Sequence, residues 1–396
     1  MKTIITYLFI VSLLPIVARA QDTVNTAQLA LAAFESGYLD SANHLINCAL
    51  AEKSTPKRLA LKADVEFAKR NYANAARFYL AAEKKQAGTS QIKTAEAYTL
   101  ASMYDSAFAA LTAYNNYPER MSTAKIAANS VFEPLTTDVR WQTIVNQRDI
   151  NQYQKDLESA EHYINVNRNG EAFPILNQVI KKHPSAHLAW YLRAKAYISD
   201  GNYKSALDDI EHAVKLRSRN TLYLNTLAEV YYNLQKHSKA TETWTFALKN
   251  DELLIHNYLY IAKAKFANQD FEGAERFAQL YLLMFPDNIE AVALLSETLA
   301  QEGDCVGALK VLNTAKIKGA SFYRSRGIIY LKSETYQFAI DDFNRAIDLD
   351  PTLYDIYLHR GLAYYSLGKK QDAKNDWNTA LKNRIYKAND YLEKYR

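Results

Sequence analysis

Small and large apolar positions recur along this chain with a long, regular spacing. Residues 206–216 read ALDDIEHAVKL and residues 339–349 read AIDDFNRAIDL, one polar–apolar pattern written twice. From Ala206, alanine stands again at 240, 274 and 308, in steps of 34 residues. Small changes of register extend the series to Ala42, Ala75, Ala107, Ala172, Ala339 and Ala373. An independent check lies twelve residues before each of these. There stand Ala30, Ala63, Ala95, Ala160, Ala194, Ala228, Ala262, Ser296, Gly327 and Gly361, all small. Large residues flank both positions: Tyr197, Tyr231, Tyr330 and Tyr364 follow the first by three, while Ile210, Trp244, Phe343 and Trp377 follow the second by four.

The pattern predicts two antiparallel helices per unit, A then B. Their axes come closest at the small residues, because helices approach to about 8–10 Å only where the contact side chains permit. Gly201, Gly303 and Gly368 mark A-to-B turns, and Pro184, Pro286 and Pro351 fall just past a helix B, where proline stops a helix. Some units depart from the pattern. Gln91 and Asp156 replace the aromatic that Trp190 and Tyr323 supply elsewhere, and Pro174 should distort its helix B. Only 31 residues separate Ala308 from Ala339, a shortfall expected at the turn around Gly319.

A 34-residue period with paired small positions resembles the tetratricopeptide repeat (TPR) family. The likeness is strongest in SAHLAWYLRAKAYISDGNYKSALDDIEHAVKL and in the last two units, and it covers nearly all of the chain after residue 20. It implies an all-α solenoid, a right-handed superhelix of about ten repeats. An extra segment between Ala107 and Ala172 contains VFEPLTTDVRWQTIV, residues 131–145. This resembles a segment that follows TPR arrays in bacterial proteins, with Phe132, Leu135 and Trp141 covering the open end of the last helix pair. Repeat arrays need such caps, since a terminal unit otherwise exposes apolar surface. The organisation read from this is an N-terminal module of three repeats plus cap, residues 21–150, and a C-terminal module, residues 151–396. The latter holds seven repeats closed by the helix YKANDYLEKYR. One continuous solenoid with a degenerate fourth unit is the rival reading.

Composition supports the helical reading: only 11 Gly and 8 Pro, but 29 Tyr, which are read mainly as packing between helices. The first 20 residues, MKTIITYLFIVSLLPIVARA, form a separate object. One Lys, an apolar run from Ile4 to Leu14, a breaking Pro15 and small residues around Arg19 have the layout of a cleavable signal peptide, with a short membrane anchor as the alternative. The run is shorter than the roughly 20 residues that span a bilayer. An exported protein, periplasmic or secreted, without stable membrane insertion of the mature chain, is therefore expected. The net charge of +5 falls further once Lys2 and Arg19 are removed, and no concentrated basic stripe suggests a nucleic-acid partner.

No Gly-rich phosphate loop, GxSxG or HExxH is present. His183 and His187 in HPSAH are separated by Pro184 at an inter-repeat turn, unlike the unbroken helical pair a zinc site needs. No cofactor or metal is implied, and catalysis is the remotest reading. Cys48 and Cys305 belong to repeats one and eight, seven stacking steps of roughly 10 Å apart. A bridge needs Cα atoms within about 7 Å, so two buried free thiols are expected.

In the TPR family helix A lines the concave face, where peptides or extended partner segments bind. One residue after each small site should project there. From repeat four onward these are Glu161, Lys195, Glu229, Lys263 and Glu297, alternating in sign, then Ile328 and Leu362. The charges either bridge neighbouring repeats as a ladder or meet a partner of complementary pattern. The family's clamp for chaperone carboxylate tails is not reproduced on any three consecutive repeats. The candidate binding set is a polar–aromatic stretch (Tyr191, Lys195, Asn225, Glu229, Tyr232, Lys263 and Glu297) and a more apolar end (Arg324, Ile328, Leu362, Tyr365) that could receive the C-terminal helix. The Asp208–Asp209 and Asp341–Asp342 pairs on helices B are read as solvated. The functional expectation is an exported, non-enzymatic scaffold binding a protein or peptide on its concave face, with envelope assembly or secretion as its setting. The alternative is cell-wall glycan binding through Tyr191, Tyr232 and Tyr365.

Overall fold

The computed structural model describes residues 24–88, 90–117, 122–146, 151–316 and 318–395. The signal sequence expected at residues 1–20 lies outside them. The chain divides into two compact units, Val24–Ile255 and His256–Arg396.

In the first unit, six helix pairs are α1 (Thr26–Glu35) with α2 (Leu39–Glu52), α3 (Pro56–Ala68) with α4 (Tyr72–Lys85), α5 (Gln91–Leu100) with α6 (Tyr104–Asn115), α9 (Gln152–Asn165) with α10 (Asn169–Lys182), α11 (His187–Ser199) with α12 (Tyr203–Leu216), and α13 (Thr221–Asn233) with α14 (His237–Asn250). Between α6 and α9 lie α7 (Thr123–Ala127), a 3₁₀ turn (Ser130–Leu135) and α8 (Val139–Val145). The second unit holds four pairs and a closing helix. The pairs are α15 (Asn257–Ala267) with α16 (Phe271–Met284), α17 (Ile289–Gln301) with α18 (Cys305–Leu312), α19 (Ala320–Lys332) with α20 (Tyr336–Leu349), and α21 (Asp355–Ser366) with α22 (Lys370–Lys382). Then α23 (Lys387–Lys394) closes the unit.

All ten A-to-B turns are one device. The residue five before each reference alanine has positive φ: Gly37, Arg70, Ser102, Asn167, Gly201, Gln235, Gln269, Gly303, Glu334 and Gly368. The next residue donates its N–H to a carbonyl five residues back, as in Asn202 to Tyr197 and Lys236 to Tyr231, each at 2.8 Å. This is the left-handed helix termination that satisfies orphan carbonyls. Glycine supplies it in only four of the ten turns, so glycine marks the turns incompletely. Side-chain caps set the starts of many helices, as where Asn25 and Asn151 form reciprocal capping boxes with Gln28 and Gln154.

The small positions are buried, and they fit their neighbours closely. A Cβ on Gly361 would lie 2.5 Å from Trp377 Nε1, and one on Gly327 would lie 2.6 Å from a Phe343 ring carbon. Between the cap and α6, Phe132, Leu135 and Trp141 are buried with Phe108 and Leu111.

Several expectations change. The segment between α6 and α9 reaches α9 across residue 150, with the Ser122 N–H donating to the Glu158 carboxylate at 2.9 Å. Pro174 does not break α10, which runs unbroken around it. Proline removes one helical bond, here in an exposed stretch of the helix where water can serve the freed carbonyl. The short unit loses residues from helix B, not from the turn: α18 has eight residues where the other B helices have 12–14. Both cysteines are free, but Cys48 is exposed and Cys305 half-buried. On α2 the core face is Ala42, Ile46 and Ala49, and Cys48 points off it.

The aspartate pairs are also only half solvated. Asp208 and Asp341 are exposed, whereas Asp209 and Asp342 are buried. Each buried carboxylate takes two bonds from an arginine sixteen residues earlier, at 2.7 and 2.8 Å from Arg193 and at 2.6 and 2.8 Å from Arg326. Arg360 and Asp376 repeat the arrangement. In three other repeats the same two positions hold Leu227 with Thr243, Ile261 with Phe277 and Leu295 with Val311. One site thus has an ionic and a largely apolar solution.

Candidate functional site

Which face is inner follows from how the helices crowd. Successive A helices touch one another, α1 with α3 and α9 with α11 in the first unit, and α15, α17, α19 and α21 in turn in the second. Among the described residues no pair of successive B helices packs comparably. Layers that converge on one side and splay on the other curve toward the converging side, so the A helices line the inside of each curve.

In the first unit this inner face carries Glu161 on α9, Tyr191 and Lys195 on α11, and Asn225, Glu229 and Tyr232 on α13. The charges do not close into a ladder. Glu161 lies 3.7 Å from Lys125 of the cap, and neither Lys195 nor Glu229 has an ion-pair partner among the described residues. The Lys195 ammonium lies 6.0 Å from the centroid of the Tyr191 ring. Glu229 stays exposed, yet burial of its surroundings raises its carboxyl pKa. The inner face therefore presents a half-buried ammonium, Lys195, and an exposed carboxylate, Glu229, on successive A helices, neither with an ion-pair partner among the described residues.

The tyrosines behave differently. Tyr191 is buried, stacked on Tyr223 at 4.8 Å, and Tyr223 in turn meets His187 Nδ1 at 2.7 Å. Burial raises the Tyr191 phenol pKa, with Glu161 and Glu229 adding to the effect. Tyr232 is half-buried against His237 and Trp244. The Tyr191 and Tyr223 rings fill space between repeats, whereas Tyr232 packs within its own helix pair and retains part of its surface.

Two further acids share this register, Asp64 after Ala63 and Glu96 after Ala95, and the repeat spacing alone is the signal for them. Both are compensated. Lys93 pairs with Asp64 at 2.8 Å and Tyr79 donates to it at 2.6 Å, while Asn129 donates to Glu96 at 2.8 Å.

In the second unit the inner charges are mutually satisfied. Lys263 pairs with Glu290 at 2.6 Å. Arg324 bridges Glu297 and Asp355, each at 2.6 Å, and Ser325 also donates to Glu297 at 2.7 Å. His359 stacks on Phe343, and burial, reinforced by Arg324, pushes its pKa down to about 4, so it stays neutral near pH 7. Ile328 is buried. Leu362 and Tyr365 lie under α23, with Tyr365 4.2 Å from Tyr395 and Trp377 stacked on Tyr391. The apolar end does receive the C-terminal helix. Among the described residues no cluster of His, Cys, Asp or Glu could hold a metal ion, and no helix is long and apolar enough to cross a membrane.

Comparison with known proteins finds two family models, one described as TPR repeat over residues 327–368 and one as tetratricopeptide repeat over residues 157–221. Among curated proteins, the mouse DnaJ homolog subfamily C member 3 is 25% identical over 239 residues, covering 52% of this chain and 44% of that protein. The chain thus spans less than half the length of that relative. Among solved structures, the Cut9–Hcn1 assembly matches with 12% identity and a TM-score of 0.45, covering 92% of this chain and 94% of the other. A tetratricopeptide repeat protein from Parabacteroides merdae matches with 16% identity and a TM-score of 0.40, covering 78% and 98%.

Proposed function

The chain is a tetratricopeptide-repeat protein, and on that premise we propose that it is a non-enzymatic scaffold that holds an extended protein segment along the inner face of residues 24–255. TPR proteins in general mediate protein–protein interaction; the finer reading rests on one observation, that Lys195 and Glu229 on adjacent A helices have no ion-pair partner among the described residues. On the same face Asp64 and Glu161 meet lysines and Glu96 accepts from Asn129, whereas neither of these two has an ion-pair partner among the described residues. Adjacent A helices stand about 8–10 Å apart, and an extended chain rises about 3.3 Å per residue. The fitting ligand carries an acidic and a basic side chain roughly three residues apart. The sequence of residues 1–20 favours an exported, periplasmic setting, consistent with a role in envelope assembly or secretion. The glycan reading is weaker, since Tyr191 is buried and Tyr365 is covered.

The test is a peptide array of ten-residue peptides with varied charge spacing. Peptides with opposite charges about three residues apart should bind, and Lys195→Glu combined with Glu229→Lys should invert the preferred order of charges with helical circular dichroism unchanged. Binding without charge preference, or unaltered in the double variant, would sink the proposal. N-terminal mass analysis of the secreted or periplasmic chain should read Gln21 as its first residue; an intact Met1 would count against export by cleavage.

A further inference from the structure

The helix pairs of the first unit return on themselves. After α14 the chain runs through Asp251, Glu252 and Leu253, and this short segment lies against α1 and α3, some 194 residues earlier in the chain. Glu252 is the hub. Its carboxylate receives Arg58 Nε at 2.7 Å, Arg58 Nη2 at 3.1 Å and Asn25 Nδ2 at 3.0 Å, while its carbonyl receives Gln28 Nε2 at 2.9 Å. Beside it Asp251 pairs with Lys57, and Leu253 packs on the cluster of Ala27, Ala30, Leu61 and Val65. We infer that residues 24–255 form a closed circuit of helix pairs latched by Asp251–Leu253, a built-in conformational device that can open without disturbing the pairs themselves.

Three features make this a latch and not simply core. The contact is made by three residues outside any helix, whereas each helix pair buries a continuous apolar stripe. The two partners also differ in their need for it. The Glu252 side chain is 33% exposed and can hydrate in place, but that of Arg58 is only 6% exposed. A buried cation stripped of its partner is strongly destabilising, so opening requires a second partner for Arg58. One stands ready: Glu52 lies 3.6 Å from Arg58 Nη1, and the Ala49 carbonyl accepts from the same nitrogen at 2.6 Å. Arg58 can therefore pass from Glu252 to Glu52, and Asn25 and Gln28 keep their capping-box bonds in either state. Two arrangements in which the buried Arg58 keeps a carboxylate, with the Asn25 and Gln28 amide nitrogens passing from Glu252 to water on opening, are what a bistable element needs.

Distances between spin labels on the full chain test the latch without any partner. With Cys48 and Cys305 changed to Ser, labels are placed on the exposed Ser54→Cys and Lys249→Cys, which flank it. The parent should give one narrow, short distribution. Glu252→Ala should broaden and lengthen it by about a helix diameter, roughly 10 Å, with the circular dichroism unchanged, and the exchanged pair Arg58→Glu with Glu252→Arg should shorten it again. A parent distribution already broad and long overturns the closure; a Glu252→Ala distribution identical to the parent overturns the latch. Should Glu252→Ala lose helix, the isosteric Glu252→Gln takes its place, judged by the same two outcomes.

Discussion

Asp209→Val in α12 breaks the ionic form of the site that other repeats fill with apolar residues. The Arg193 side chain is 17% exposed and that of Asp209 5%, so the substitution leaves a largely buried guanidinium without its carboxylate. Breaking a fully buried pair typically costs about 3–5 kcal/mol. Here Arg193 keeps Asn177 as an acceptor at 2.6 Å and lies 5.0 Å from the Trp190 ring centroid. Together with its residual hydration this reduces the cost to about 2–3 kcal/mol. Adding Arg193→Leu recreates the solution seen at Leu295 with Val311, and apolar replacement of a buried pair is often neutral or better. The double variant should therefore lie within about 1 kcal/mol of the parent. Because repeat arrays open segment by segment, the assay is the local opening free energy of α11 and α12 amides from hydrogen exchange, not one global midpoint. A single variant costing under about 0.5 kcal/mol, or a double variant as unstable as the single, would refute the assignment of this site as two interchangeable solutions.

Four further outcomes are expected. Gly361→Ala forces a Cβ to 2.5 Å from the Trp377 ring and should destabilise the last helix pair by about 1–3 kcal/mol in urea unfolding, while Gly170→Ala, which meets nothing within 4 Å, should stabilise α10 by about 0.5–1 kcal/mol. Gln235 sits at φ 59°, a conformation costing an L residue roughly 1–2 kcal/mol, so Gln235→Gly should raise the thermal midpoint; a fall would contradict the turn geometry. Arg58 holds the Glu252 carboxyl below its ordinary value. Its contribution is therefore complete above the unfolded carboxylate value, about pH 4.3, and is lost as pH falls through the lower folded value. The stability difference between parent and Glu252→Gln should be flat near neutrality and vanish under acid; a difference that grows on acidification would reverse the assignment.

Much of the fold was legible because it is local and repeated. Paired small residues at a fixed separation set where each helix pair closes, and ten occurrences make the register unambiguous. The positions of Lys195 and Glu229 followed from that register alone. Pairing did not: Lys263 reaches Glu290, Arg324 reaches Glu297 and Asp355, and Lys195 reaches no carboxylate among the described residues. Which long side chain meets which acid depends on the angle between successive pairs, a quantity absent from a periodic pattern. The burial of Tyr191 under Tyr223 has the same origin.

What the sequence by itself determined is the unit: two helices, their facing small residues, the aromatic that packs on each, and the termination between them. Six of the ten turn residues are not glycine, yet all ten adopt one left-handed conformation; there the helix ends impose the turn, since the unpaired carbonyls of helix A demand it. Only the tertiary structure decided where the array stops being linear. The segment DELL at 251–254 has no period and no motif, and nothing local distinguishes Glu252 from other exposed acids. Its role comes from curvature summed over the intervening helix pairs, which brings it to a buried arginine 194 residues away. Nearest-neighbour packing writes itself into spacing; closure depends on the accumulated angle.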